Sequence, residues 1–166
     1  TMTHESRLQR SLRELIEQRR TAALAASSAD GQDAPLISMV PFAWCAEFGC
    51  LVIHVSALAA HTQAMEQHAA VSLLFAAPEV AGEGVHALER VSLQAVASTP
   101  PKESVLWTGL RNAYLARFPA AEFMTELPDF RFVCITPESA RHVAGFGSAR
   151  DVSGNDFVSA MNFKPE

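Results

Sequence analysis

Over residues 90–95 polar and apolar side chains alternate, with Arg90, Ser92 and Gln94 set against Val91, Leu93 and Ala95. A period of two puts successive side chains on opposite faces of an extended strand, one face buried and the other wet. Such a strand needs partners, because its backbone donors and acceptors must pair with neighbouring chain. The partners are legible as short apolar runs at 21–28, 35–44, 50–55, 70–76, 130–136 and 140–144, beside the parent run at 88–98. In the second of these, Leu36, Ser38 and Val40 share one face and Ile37, Met39 and Pro41 the other. Turn chemistry separates the runs. Asp30-Gly31 predicts a hairpin, Glu47-Phe48-Gly49 a second turn, 78–84 a loop with two glycines, and Pro100-Pro101 a strand stop.

Helical spacing appears in three places. Leu8, Leu12, Leu15 and Ile16 form one stripe of a helix over 5–19, with Arg7, Arg10, Arg13 and Glu17 on its wet side. An alanine-rich stretch at 57–68 and a long one at 101–118 follow, with a short helical turn at 119–125. In the long one Leu106, Leu110 and Ala113 make a stripe that Trp107, Tyr114 and Phe118 extend, read as core. The order helix, three strands, helix, two strands, helix, two strands favours antiparallel neighbours. The class is therefore α+β around a small barrel rather than an alternating βαβ array.

The chain has 166 residues, 49% hydrophobic and 19% charged, enough for one domain with a real core. No repeat or linker divides it, so 1–166 is expected to be a single unit: helix 5–19, barrel 21–150, and a C-terminal tail at 151–166. A net charge of −5 lacks the clustered cations that nucleic-acid binding requires. No apolar run is long enough for a membrane helix, and no apolar secretory segment follows Thr1-Met2-Thr3-His4-Glu5. Three cysteines without a C-x-x-C pattern predict reduced thiols and a cytoplasmic protein.

One segment can carry chemistry. In 51–62 a strand ends at Ser56, a short turn follows, and a helix opens with His61 and Thr62. Helix N-termini present unpaired N–H groups and positive potential. The hydroxyls of Ser56 and Thr62 with the imidazole of His61 could cradle an anion there; ordinary capping by Ser56 beside an exposed His61 reads the same residues. No zinc spacing, nucleophile elbow, phosphate loop or dinucleotide fingerprint occurs. His54 reads as a satisfied barrel histidine, His68 and His86 as solvated, and Asp129 as a loop acid after a proline. No catalytic residue is named.

The runs Pro35-Leu36-Ile37-Ser38-Met39-Val40-Pro41-Phe42, the segment from Gly49 through Ser56 and Leu58 to His61-Thr62, and Val71-Ser72-Leu73-Leu74 together resemble the flavin-binding split-barrel family. That family includes pyridoxamine 5'-phosphate oxidase. Leu127-Pro128-Asp129-Phe130 and Arg141 to Gly145-Phe146-Gly147 are similar to its haem-utilisation branch. The resemblance covers roughly residues 6–150 and implies a six-stranded antiparallel Greek-key split β-barrel with flanking helices. It further implies a homodimer with flavin mononucleotide (FMN) at the subunit interface. Ser38, Met39 and Val40 would lie along the ring system; Ser56, His61 and Thr62 would hold the phosphate; Arg90 and Gln94 would reach the polar edge. The expected function is that of an FMN-dependent oxidoreductase. Its alternatives are a haem-binding or haem-degrading protein and a barrel without cofactor.

Two departures limit what carries over. The chain has only two lysines, Lys102 and Lys164, neither near the cradle, and 150–166 holds no Arg-x-His clamp. A true pyridoxamine phosphate oxidase is therefore not expected. No histidine follows His142, where haem-degrading members place the iron ligand.

Overall fold

A computed structural model describes residues 4–28, 30 and 32–164. Gly31 of the expected 30–31 turn lies outside the described residues. The strands are β1 (Thr21–Ala26), β2 (Leu36–Pro41), β3 (Ala43–Cys45), β4 (Cys50–Ser56), β5 (Ala70–Ala76), β6 (Arg90–Ser98), β7 (Phe130–Val143) and β8 (Ala149–Ser153). The helices are α1 (Arg7–Gln18), α2 (Ala60–Gln67), α3 (Val105–Arg117) and α4 (Gly154–Met161), with a 3₁₀ helix over Pro119–Glu126. All strands join one curled antiparallel sheet in the order β2-β1-β5-β6-β7-β4-β3, and β8 pairs with β7. The α+β class holds. Among the described residues the sheet has eight strands rather than the six expected.

Three differences from the expected layout have local causes. The run 35–44 divides at Phe42: its N–H still donates to the Arg20 carbonyl (3.3 Å) in the register of β1, and Ala43–Cys45 beyond it pair with β4 instead. The two runs 130–136 and 140–144 are one strand. Ala95 faces Pro137 while Gln94 faces Ser139, so Glu138 is the extra residue of a bulge. A bulge is where a sheet tolerates a proline, which has no N–H to give the ladder. The expected tail at 151–166 instead completes β8 and forms α4. Ser153 caps that helix, its hydroxyl accepting from Asp156 N–H at 3.1 Å. Phe157, Ala160 and Met161 are buried at i, i+3, i+4 spacing, a signal present in the sequence.

Two apolar clusters result. The larger fills the concave side of the sheet: Leu12 and Ile16 of α1 meet Leu24, Ile53, Leu73, Phe75 and Leu93. Chain entry into α1 is fixed by a capping box between Ser6 and Gln9. A paired Glu5–Arg13 contact (2.8 and 3.1 Å) holds the preceding residue. The smaller cluster lies between α3 and the opposite face of β4 and β7. It contains Val52, Phe132, Leu110, Tyr114 and the three cysteines, all free thiols.

Candidate functional site

The β4–α2 connection is built by its own hydrogen bonds. Ser56 Oγ accepts from Leu58 N–H at 3.2 Å, and the Ser56 carbonyl accepts from Ala59 N–H at 3.2 Å. The Thr62 hydroxyl, buried, donates to the same carbonyl at 2.6 Å. The N-cap of α2 is Ala59, which gives no side-chain cap, rather than Ser56. A carboxylate also stands here. Ser56 Oγ lies 3.5 Å from Asp129 Oδ2, and the Asp129 carbonyl accepts from Ala57 N–H at 2.6 Å. Both hydroxyls of the expected cradle therefore already have partners in the chain. A negative group beside Ser56 opposes a phosphate through like-charge repulsion. The 73 positions that separate Ser56 from Asp129 hide this contact from sequence reading.

His61 behaves differently. Its Nδ1 lies 3.1 Å from Ser38 Oγ on β2, joining two residues 23 apart in sequence. Its Nε2 is buried and has no partner among the described residues. Burial pushes the imidazole pKa below its usual value, so the ring is neutral at pH 7. In the tautomer whose Nδ1–H donates to Ser38, the Nε2 lone pair is unengaged. A neutral imidazole whose other nitrogen is oriented by a hydrogen bond has the form of a metal or haem-iron ligand.

The remaining expected residues divide between the two faces of the sheet. Val40 is buried in the larger core, so its side chain is packed on the side that Ser38 also faces. Met39 points the other way and is 69% exposed. It belongs to a rung across the sheet, Met39–Ala23–Leu74–Ser92–Arg141. The neighbouring rung is Ile37–Ala25–Ser72–Gln94–Ser139, where Gln94 Oε1 accepts from Ser139 Oγ at 3.2 Å. Arg90 stands on the same face one rung further, its guanidinium turned back to the Leu88 carbonyl at 2.9 Å. Beyond β7 the loop 144–148 presents Phe146, 91% exposed, between Gly145 (φ 144°) and Gly147 (φ 73°). That backbone conformation favours glycine on both sides. The structure thus brings Ser38 to His61 and Ser56 to Thr62. Arg90, Gln94 and Met39 share a separate, solvent-facing surface.

Among the described residues no group of three or more potential ligands could hold a metal ion, and no helix is long and apolar enough to cross a membrane.

Residues 8–144 match the pyridoxamine 5'-phosphate oxidase family. The chain is 30% identical over 161 residues to the haem oxygenase HutZ of Vibrio cholerae serotype O1, spanning 96% of this chain and 89% of that protein. It is similar to the crystal structure of HutZ, the haem storage protein from Vibrio cholerae. The TM-score is 0.71 at 27% identity, over 80% of this chain and 92% of that one. A haem-binding protein from Mycobacterium smegmatis superposes with a TM-score of 0.81 over 95% of this chain. This chain spans 62% of that protein's length, and at 23% identity the likeness bears on the fold alone.

Proposed function

The chain belongs to the pyridoxamine 5'-phosphate oxidase family, and from that premise we propose that it is a haem-binding protein of the family's haem-utilisation branch. The observation that carries this reading is the 30% identity to HutZ across nearly the whole chain. The chemistry of the site supports it. The orphaned, buried Nε2 of neutral His61 suits iron. The engaged hydroxyls of Ser56 and Thr62 beside Asp129 suit a phosphate poorly. FMN, which the residues alone favoured, is therefore the second choice.

In this reading His61 is the ligand, and Ser38 fixes its tautomer and ring plane. Met39, Arg90 and Gln94 stand on the opposite, solvent-facing side of the sheet and do not hold the His61-bound group within one copy. Bound haem would supply an iron centre and an oxidisable ring. The proposal keeps residues 1–166 as one unit, a Greek-key split barrel acting in the cytoplasm without nucleic acid or membrane. It includes a two-fold homodimer formed through the rungs of Met39 and Ile37. Where those rungs cross β2, β1 and β5 they carry Ile37 (76% exposed), Met39 and Leu74 beside alanines, an apolar patch bordered on β6 and β7 by Gln94 and Arg141. A self-complementary apolar patch of this kind is what a C2 interface buries.

The test is the absorption spectrum of the purified protein, followed by titration with haem and with FMN. A histidine-type Soret band that saturates at one haem per chain supports the reading. In His61→Ala the band should weaken by at least tenfold in affinity and lose its histidine character. Stoichiometric FMN binding with no response to haem reverses the choice.

A further inference from the structure

A cavity of about 360 Å³ opens between the start of α3 and the face of β4 and β7 that packs on it. It lies at the low end of the roughly 300–1,000 Å³ typical of ligand pockets. The proposed haem function makes no use of it. Its walls are aromatic: Trp107, Phe130 and Phe132, with His54 beneath. The His54 ring lies 4.5 Å from Phe132 and 5.1 Å from Phe130, and Phe132 meets Trp107 edge-on at 5.7 Å. His54 is neutral, its pKa lowered to about 4 by burial, and its Nδ1 has no partner among the described residues. The floor is therefore polarisable but uncharged.

Charge enters from the rim. Two cations line the cavity, Arg131 and Lys102. Arg131 is already paired with Glu66, whereas Lys102 is exposed and has no ion pair among the described residues. The backbone that carries Lys102 is pre-set. Pro100 and Pro101 precede it, and Glu103 follows at φ 66°, the only non-glycine residue with positive φ among the described residues. Such strain persists where surrounding structure enforces it, and it gathers at ligand clamps. An exposed ammonium at the mouth of an aromatic-walled cavity suits one chemistry: rings pack on the walls and a carboxylate meets the ammonium.

We propose that this cavity is a separate binding site for a planar aromatic carboxylate, with Trp107 and Phe130 stacking its rings and Lys102 pairing its carboxylate. The probe is 2-naphthoate, titrated calorimetrically into the full chain, with uncharged 2-naphthamide as its partner. One 2-naphthoate should bind per chain, at least fivefold more tightly than the amide. Lys102→Gln, on the exposed rim, should remove that preference and leave amide binding unchanged. Trp107→Leu should weaken acid and amide alike, by on the order of tenfold. Prior addition of haem should leave the 2-naphthoate titration unaltered. Equal binding of acid and amide, or an unaltered preference in Lys102→Gln, would overturn the assignment. Displacement of 2-naphthoate by haem would also overturn it, since the cavity would then be part of the haem site.

Discussion

The buried His54 shows what a side chain's surroundings add to its identity. His54 alternates with apolar neighbours on β4 and reads as an ordinary strand histidine. It is in fact enclosed by three aromatic rings, with a nitrogen unpaired. Nothing nearby in sequence signals this, since Tyr114, Phe130 and Phe132 come from α3 and β7. The consequence is a pH dependence. The unfolded chain takes up a proton near pH 6.5, while folded His54 resists until about pH 4. Stability from this group is complete above pH 6.5 and is lost as pH falls from there toward 4, by on the order of 3 kcal/mol. Urea unfolding of the wild type and His54→Phe at pH 7 and 4.5 checks it: the variant should lose distinctly less. Thr62 offers a second measurement. Its buried hydroxyl donates to the Ser56 carbonyl, so Thr62→Val should cost about 1 kcal/mol of stability. FMN and riboflavin should be affected alike. A loss confined to FMN would mean that Thr62 holds a phosphate after all.

At the scale of elements, the periodic segments were readable and the interrupted ones were not. β1, β4, β5, β6, α1 and α3 lie where alternation, helical stripes and turn residues place them, because each of those signals is local. Pro137 reads as a break between strands only while its neighbours are unknown; the bulge opposite Gln94 and Ala95 accommodates it. α4 depends on that same place. Gly154 opens the helix against the bulge, and a Cβ there would come within 2.6 Å of the Pro137 carbonyl oxygen and 2.9 Å of that of Glu138. Backbone on both sides leaves little room to yield. Gly154→Ala should therefore destabilise by about 1–3 kcal/mol, despite alanine's better helix propensity. The cap variant Ser153→Ala should cost about 1 kcal/mol. Denaturant melts of both variants decide the point, and a neutral Gly154→Ala would mean that α4 does not seat on β7 in this way.

For the whole molecule, the exposed rungs of Ile37 and Met39 and the bare Phe146 carry the proposal of a homodimer. Ile37→Asp combined with Met39→Asp should convert a dimer to monomer in sedimentation experiments without unfolding the chain, since both side chains face solvent in a single copy. If the haem site is shared between copies, haem should stabilise the wild-type dimer, and dilution should release it. A wild type that is monomeric at micromolar concentration with haem bound would remove the shared site. The antiparallel α+β class, most strand positions and the main amphipathic helix follow from the sequence unaided, because periodicity and turn chemistry act over a few neighbouring residues. The partners of the candidate site do not. Ser38 reaches His61, Asp129 reaches Ser56, and the rings around His54 assemble only once distant strands pair in register. Sheet pairing sets those contacts across intervals of 23 to 78 residues, beyond the reach of any local pattern.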